Sequence, residues 1–177
     1  MSTYHHGDLP AALLRAAGRT LERRGIGALS LRETARRAGV SHNAPYRHFP
    51  DREALLAALA AEGFAMLGER LRGKPGREMG EAYVRFALEQ PQRFRLMFGG
   101  ALPIAKYPQL STAAKAAYQA LIAAFKDLPR PELAAAAAWS LVHGLSHLLL
   151  DGHFTAPDPE SFVRDVLASI RFAAAHR

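Results

Sequence analysis

Cysteine is absent from the 177-residue chain. This excludes any disulfide and any thiolate-held metal. No run of apolar residues reaches the ~18 that an uninterrupted membrane-spanning stretch requires. The opening Met1-Ser2-Thr3-Tyr4-His5-His6 has no basic region followed by an apolar one, so no secretory signal is expected. Sustained β-branched alternation is missing, which argues against a sheet. There is no nucleophile elbow, no glycine-rich phosphate loop and no His-Glu-x-x-His sequence, so the common enzyme signatures are lacking. Repeats and low-complexity linkers are also absent. A cytoplasmic protein without a cofactor or a membrane partner is the expectation.

What remains is helical in character. Apolar residues make up 49% of the chain, enough for one sizeable core or for a small module joined to a medium one. Lysine is scarce beside arginine, and the net charge is +7. The excess is uneven. Residues 1–74 hold 12 basic and 7 acidic side chains, whereas residues 75–177 hold 11 and 9. A phosphate-facing module requires such a bias in its own part of the chain.

Breakers divide the chain into about nine helices. Asp8 is placed to cap the first, which carries a Leu13, Ala17, Leu21 stripe and stops at Gly25. Ser30 caps a second helix ending at Gly39, and Ser41 opens a very short third through about His48. Asp51 caps a long fourth, with Leu55, Leu59, Gly63, Leu67 and Leu71 along one side. Gly73-Lys74-Pro75-Gly76 interrupts it. Helices are then expected over 78–90, around Phe94 and Phe98, from Pro108 to about Lys126, over 132–151, and from Pro159 to about Ala175.

The segment Leu29–Phe49 has the features of a helix-turn-helix, which needs two short helices crossing at a tight corner. Ala35 is small where the helices approach, and Gly39 can take the positive φ that turns the chain. Val40 fills the corner, and Phe49 closes the small core. His42, Asn43 and Arg47 offer donors and acceptors suited to base edges in a major groove.

The run Leu31-Arg32-Glu33-x-Ala35-x-x-Ala38-Gly39-Val40-Ser41, then Tyr46-Arg47-His48-Phe49 and Asp51-Arg52-Glu53-Ala54-Leu55, resembles the DNA-binding domain of TetR regulators. The resemblance implies an all-α fold, in which a three-helix helix-turn-helix domain is joined by a long fourth helix to a C-terminal helical bundle. It places the DNA-binding domain at 1–52 (motif 30–49), the connecting helix at 53–73 and an effector-binding and dimerisation domain at 78–177. Tyr46 and Arg52 are implied to hold the DNA backbone, with Ser41 and His48 as further backbone contacts. His42, Asn43 and Arg47 are implied to read sequence. Thr34 stands where the family has an aliphatic residue, and its hydroxyl can bond back to a helix carbonyl. Pro45 stands where leucine is common; lacking an amide, it shifts the expected start of the third helix toward Asn43. The opening Tyr4-His5-His6-Gly7-Asp8-Leu9 resembles one subclass, whose arm is placed to reach toward DNA.

In the second region, Trp139-Ser140-Leu141-Val142-His143-Gly144 matches a Trp-x-x-x-His-Gly signature that names one C-terminal class of the family. Trp139 and His143 share a helix face and pack between helices, or else line an apolar effector pocket with Phe94, Phe98 and Tyr118. The resemblance also implies a homodimer built on the last two helices, with Leu148, Phe162, Val166 and Ile170 at the interface. The expected partners are a double-stranded operator, a second copy and an unidentified small-molecule effector, with repression more in keeping with the family than activation. Two rivals remain. One is a metal-dependent helical-bundle enzyme using His143, His147 and Asp151. The other is a DNA architectural protein with no sensing role.

Overall fold

The computed structural model describes residues 9–170. The Asp8 cap, the arm before it and the expected continuation of the last helix past Ile170 lie outside the described residues. Among the described residues there are eight α-helices and three short 3₁₀ segments, with no strand. The α-helices are α1 (Leu9–Arg24), α2 (Leu31–Ala38), α3 (Arg52–Leu71), α4 (Gly76–Glu89), α5 (Pro91–Phe98), α6 (Pro108–Ala123), α7 (Pro131–Leu150) and α8 (Pro159–Ala168). The fold is all-α, as expected. One fewer α-helix than expected is present because the segment after Gly39 forms a single 3₁₀ turn, Ala44–Arg47. The last helix ends at Ala168, short of Ala175.

Contacts group the chain into two compact units. Met1–Gly63 with Gln92–Ser111 forms the first, and Phe64–Pro91 with Thr112–Arg177 the second. The division falls within α3, and residues 92–111, grouped with the C-terminal region on sequence grounds, pack with the N-terminal residues.

In the first unit α1 buries Leu13, Ala17 and Leu21 completely and packs against α2. Local rules set α2. The Ser30 hydroxyl accepts the Glu33 amide at 3.1 Å, which satisfies one of the unpaired first-turn donors. Thr34, fully buried, returns its hydroxyl to the Ser30 carbonyl at 2.8 Å, so a polar side chain sits in an aliphatic position at no cost in unmade bonds. Gly39 has φ 70° and ψ 29°. Its amide reaches the Arg36 carbonyl at 3.3 Å, and the Val40 amide reaches that of Ala35 at 3.1 Å. These two bonds form a Schellman closure. Asp51 Oδ1 accepts the Ala54 amide at 2.7 Å and opens α3.

A buried guanidinium joins three helices of this unit. Arg93 of α5 donates through Nη1 to the Leu59 carbonyl at 3.1 Å and to Glu62 Oε2 at 2.7 Å, both on α3. The Glu22 carboxylate of α1 accepts the amides of Gln92 and Arg93 at 3.2 and 2.8 Å, placing an anion on the N-terminus of α5. Room for the group comes from glycine. A Cβ on Gly18 would lie 2.6 Å from Arg93 Nη2, and one on Gly63 would lie 2.6 Å from Met97 Sδ.

The second unit has α4 at its centre, packed against both α7 and α8. Gly80 permits the approach, since a Cβ there would meet Leu167 at 3.0 Å and Val142 at 3.3 Å. Asp158 caps α8 through the amides of Glu160 and Ser161, with Pro159 as its first residue. Helix α7 differs from expectation. Its 20 residues reach a mean hydropathy of 1.5, enough by length and composition to cross a membrane, yet only 22% of that window is buried. No unbroken apolar run is visible in the sequence because Ser140, His143, Ser146 and His147 interrupt it. Alanine and leucine nevertheless dominate the average.

Replacing Gly39 by valine should destabilise the first unit by about 1–3 kcal/mol, because a β-branched residue is forced into the left-handed region. Among the described residues nothing lies within 4 Å of a Cβ at this position, so the cost is conformational and not steric. The midpoint of urea unfolding measures it, and an unchanged midpoint would mean that the corner relaxes to another geometry.

Candidate functional site

The corner at Gly39 leads into the segment expected to read DNA. Helical hydrogen bonding starts from a residue's amide, and Pro45 has none to offer. The chain responds with turns. The Ala44 amide bonds to the Ser41 carbonyl at 3.0 Å, Tyr46 to Asn43 at 3.3 Å and His48 to Pro45 at 3.0 Å. Only Phe49, bonding to Pro45 at 2.9 Å, closes a wider α-type ring. Asn43 takes the position before the 3₁₀ turn and makes no side-chain cap bond, so the cap expected of Ser41 is not formed. Residues three apart eclipse in this geometry, which places Asn43 in register with Tyr46, and Ala44 with Arg47.

Burial sorts the segment sharply. Pro45 and Phe49 face inward, as does Ala35, while Val40 is half-buried. Ser41, His42, Asn43, Arg47 and His48 are exposed, and Tyr46 shows 47% of its surface. Six polar side chains thus project from a short turn seated on two apolar residues. Pro45 and Phe49 line the inner side of this segment and the expected readers its outer side, while Gly39, expected in the core, is exposed at the corner.

Arg52 is also exposed, but part of it is engaged. Its Nε donates to the Leu29 carbonyl at 2.8 Å and its Nη2 to that of Ile26 at 2.6 Å. These carbonyls lie in and just after a 3₁₀ turn, Ile26–Ala28, that sequence patterning did not show. The guanidinium therefore ties the start of α3 to the loop before α2, and has Nη1 left for an outside anion. Next to it, Glu53 accepts Lys106 Nζ at 2.7 Å and the Tyr107 hydroxyl at 2.6 Å. These bonds, Lys106 first, lower the Glu53 pKa.

The residues expected around an effector fall into two groups. Phe94 and Phe98 lie in the first unit, their rings 5.0 Å apart. Tyr118, Trp139 and His143 lie in the second, in a chain of ring contacts. Tyr118 meets Trp139 at 5.7 Å, Trp139 meets His143 at 5.9 Å, and His143 meets His147 at 4.8 Å. The hub of this chain is Tyr83 of α4. Trp139 Nε1 donates to its hydroxyl at 3.0 Å, and the hydroxyl lies 2.9 Å from His143 Nδ1. An indole can only donate, so the arrangement that uses every proton has Tyr83 donating to Nδ1 and the His143 proton on Nε2. Sequence reading did not assign Tyr83 this role, because its partners are 56 and 60 residues away and no local pattern signals them. Burial pushes the Tyr83 hydroxyl pKa up, against the opposing indole bond. His143 is held below the ordinary histidine range, first by burial and then by the nearby His147.

Among the described residues, no three histidine, aspartate or glutamate side chains converge to hold a metal ion. The metal reading of His143, His147 and Asp151 therefore has no cage to rest on.

Comparison with known proteins adds to these observations. Residues 13–59 match the family described as bacterial regulatory proteins, tetR family, and residues 77–170 match the tetracyclin repressor-like C-terminal domain. A protein of unknown function from Rhodococcus sp. RHA1 is 32% identical, with 96% of each chain covered and a TM-score of 0.81. The TetR-family regulator PfmR from Thermus thermophilus is 21% identical over 88% of this chain and 91% of its own, with a TM-score of 0.60. The Q116A variant of TetR from Acinetobacter baumannii AYE, solved with minocycline, is 22% identical over 89% and 90%, also at 0.60. No curated protein matches in sequence.

Because the folded state disfavours protonated His143, the unfolded chain binds the extra proton first as pH falls below about 6.5. Stability is expected to fall with acidification from that point, and this group contributes no slope above it. The variant His143→Gln loses the Tyr83 contact, yet its deficit against wild type should shrink between pH 8 and pH 5. Parallel melting curves for the two proteins across that range would refute the assignment.

Proposed function

This chain belongs to the tetR family of bacterial regulatory proteins, and we propose that it acts as a ligand-responsive repressor, binding as a homodimer to a pseudo-palindromic operator. It is a DNA-binding transcription regulator with a helix-turn-helix, not an enzyme. The observation that carries the finer reading is the turn after Gly39, where six polar side chains stand exposed over buried Pro45 and Phe49. In this reading His42, Asn43 and Arg47 meet base edges, with Asn43 suited to adenine and Arg47 to guanine. Tyr46, Arg52, Ser41 and His48 hold the phosphates. The functional division runs through 1–52, 53–73 and 78–177, and the protein works in the cytoplasm.

The second region is the sensor and the dimer contact in this proposal, of the Trp-x-x-x-His-Gly subclass. The polar chain of Trp139, Tyr83 and His143 within a group of rings suits a small molecule with an aromatic body and a few polar atoms. A family relative bound to minocycline is consistent with that chemistry. Phe94 and Phe98 form a separate ring pair in the first unit. Ligand binding weakens the operator complex only to the extent that it favours one of two states. For the dimer, the support is the open face of α7. Leu133 and Leu148 are 54% and 38% exposed, and among the described residues nothing lies within 4 Å of a Cβ at Gly144. Along and just beyond α8, Phe162, Val166 and Ile170 are half-buried.

Fluorescence anisotropy against DNA from the gene's own upstream region, competed with unrelated duplex, tests the reading. A preference of ~10³ with two chains per site is expected. Tyr46→Phe should weaken binding to every sequence, and Arg52→Ala should do so with an added loss of stability from its two carbonyl bonds. Asn43→Ala and Arg47→Ala should each cost ~1–3 kcal/mol at particular base pairs. If the two classes of variant behave alike, readers and anchors have been misassigned.

The dimer has its own check. A Cβ at Gly144 meets nothing among the described residues, whereas a leucine there would block a close partner helix, so sedimentation should show monomer for Gly144→Leu and for Leu148→Glu. A dimer that survives both changes would place the interface elsewhere.

A further inference from the structure

Three guanidiniums converge on one carboxylate beside the DNA-reading corner. Glu33 of α2 takes Arg36 in a two-pronged contact, Nε to Oε2 and Nη2 to Oε1, each at 2.8 Å. The same Oε1 accepts Arg37 Nε at 2.6 Å, and Arg24 Nη1 from the end of α1 stands 3.6 Å away. The hydrogen bonds from Arg36 and then Arg37 hold the Glu33 pKa down to about 2, so the charge persists at every physiological pH. The helix that carries Glu33, Arg36 and Arg37 runs directly into the Gly39 turn and the exposed segment that follows. In helix-turn-helix proteins this first helix crosses the DNA backbone, which brings its outward cations toward phosphates.

We infer that Arg24, Arg36 and Arg37 form a second phosphate-binding patch, and that Glu33 restrains it, setting how tightly the chain holds DNA of any sequence. This rests on the DNA-binding role given above but concerns residues outside the reading segment. The argument is electrostatic. One carboxylate in a group of three guanidiniums removes a unit of attraction for any approaching phosphate. It also occupies the forked donors of Arg36 that would otherwise grip a phosphate in two places. Exposed pairs such as these contribute little to stability, so the fold does not require the arrangement. The segment Ser30–Glu33 also shows that the cap and the carboxylate act independently: the Ser30 hydroxyl uses the Glu33 amide, while the carboxylate turns away to the arginines.

The test uses a fluorescein-labelled duplex of arbitrary sequence and the full-length chain, with affinity measured by anisotropy across a salt series. The variants are Glu33→Gln, the double change Arg36→Gln with Arg37→Gln, and Glu89→Gln. Glu89 is an exposed carboxylate paired with Arg70 at 2.6 Å in the other unit, so its variant makes the same net-charge change outside the cluster of Arg24, Glu33, Arg36 and Arg37. Glu33→Gln should bind the duplex up to about eightfold more tightly near 0.1 M salt, with the salt slope steeper by up to about 0.9, as for one more phosphate neutralised. The double arginine variant should bind more weakly with a shallower slope, and Glu89→Gln should change affinity by less than about twofold. Melting temperatures of all variants are taken alongside, so that a misfolded protein is not read as a weak binder.

If Glu33→Gln binds more weakly while still folded, Glu33 positions the arginines and the restraint is refuted. If it behaves as Glu89→Gln does, the effect is one of overall charge and the patch does not exist. If wild type binds neither this duplex nor its own upstream DNA, the DNA-binding role fails first and the restraint with it.

Discussion

A guanidinium removed from water must be met by acceptors or it unfolds what surrounds it, and the first unit is organised around one such group. Arg93 Nη1 meets a carboxylate and the Leu59 carbonyl of α3, and α1 supplies a carboxylate to the amides beside it, while the buried Nε has no partner among the described residues. Two glycines clear the space it fills. Breaking one partner of a buried pair costs far more than the pair contributes when intact, which makes such an arrangement intolerant of change. The helix-turn-helix therefore does not rest on its own three short elements alone. Segment 92–111, from well along the chain, is part of its foundation.

At the reading surface the governing constraint is the missing amide of Pro45. A full α-helix would bring Asn43 and Arg47 onto one face, four residues apart. The 3₁₀ turn instead pairs Asn43 with Tyr46 and Ala44 with Arg47. In the reading proposed above, a base reader and a phosphate anchor would thus share a row, and the second reader would stand alone beside a small residue. In that reading such a surface would address only a short stretch of DNA, to which a second copy of the turn in the proposed homodimer would be the complement.

Much of the fold was legible from the sequence because its controlling rules are local. The Ser30 and Asp51 caps, the back-bonded Thr34, the left-handed Gly39 and the buried stripes of α1 and α3 each follow from residues within one turn of each other. The core side of the candidate DNA site was legible for the same reason. What escaped depends on distance along the chain. Glu22 meets α5 across 70 residues, and Tyr83 meets His143 across 60. Arg52 lies between the two cases. Its cationic character was plain, but the carbonyls it satisfies arise around a 3₁₀ turn with no clear sequence signal. The short recognition element was half legible: Pro45 announced that its helix would start late, and the outcome was that no α-helix formed.

The open face of α7 has a consequence for abundance. A helix this apolar and this little covered is a liability for a chain on its own, since exposed apolar surface invites unselective association. In the homodimer proposed above, pairing would cover it, and because pairing obeys mass action the folded state would gain stability as the number of copies rises. In that proposal the surface would set a threshold on expression. Below it, the chains in a cell would be scarce, unpaired and prone to clearance. Above it, they would be paired and long-lived, so occupancy of a genomic site would rise more steeply than the rate of synthesis.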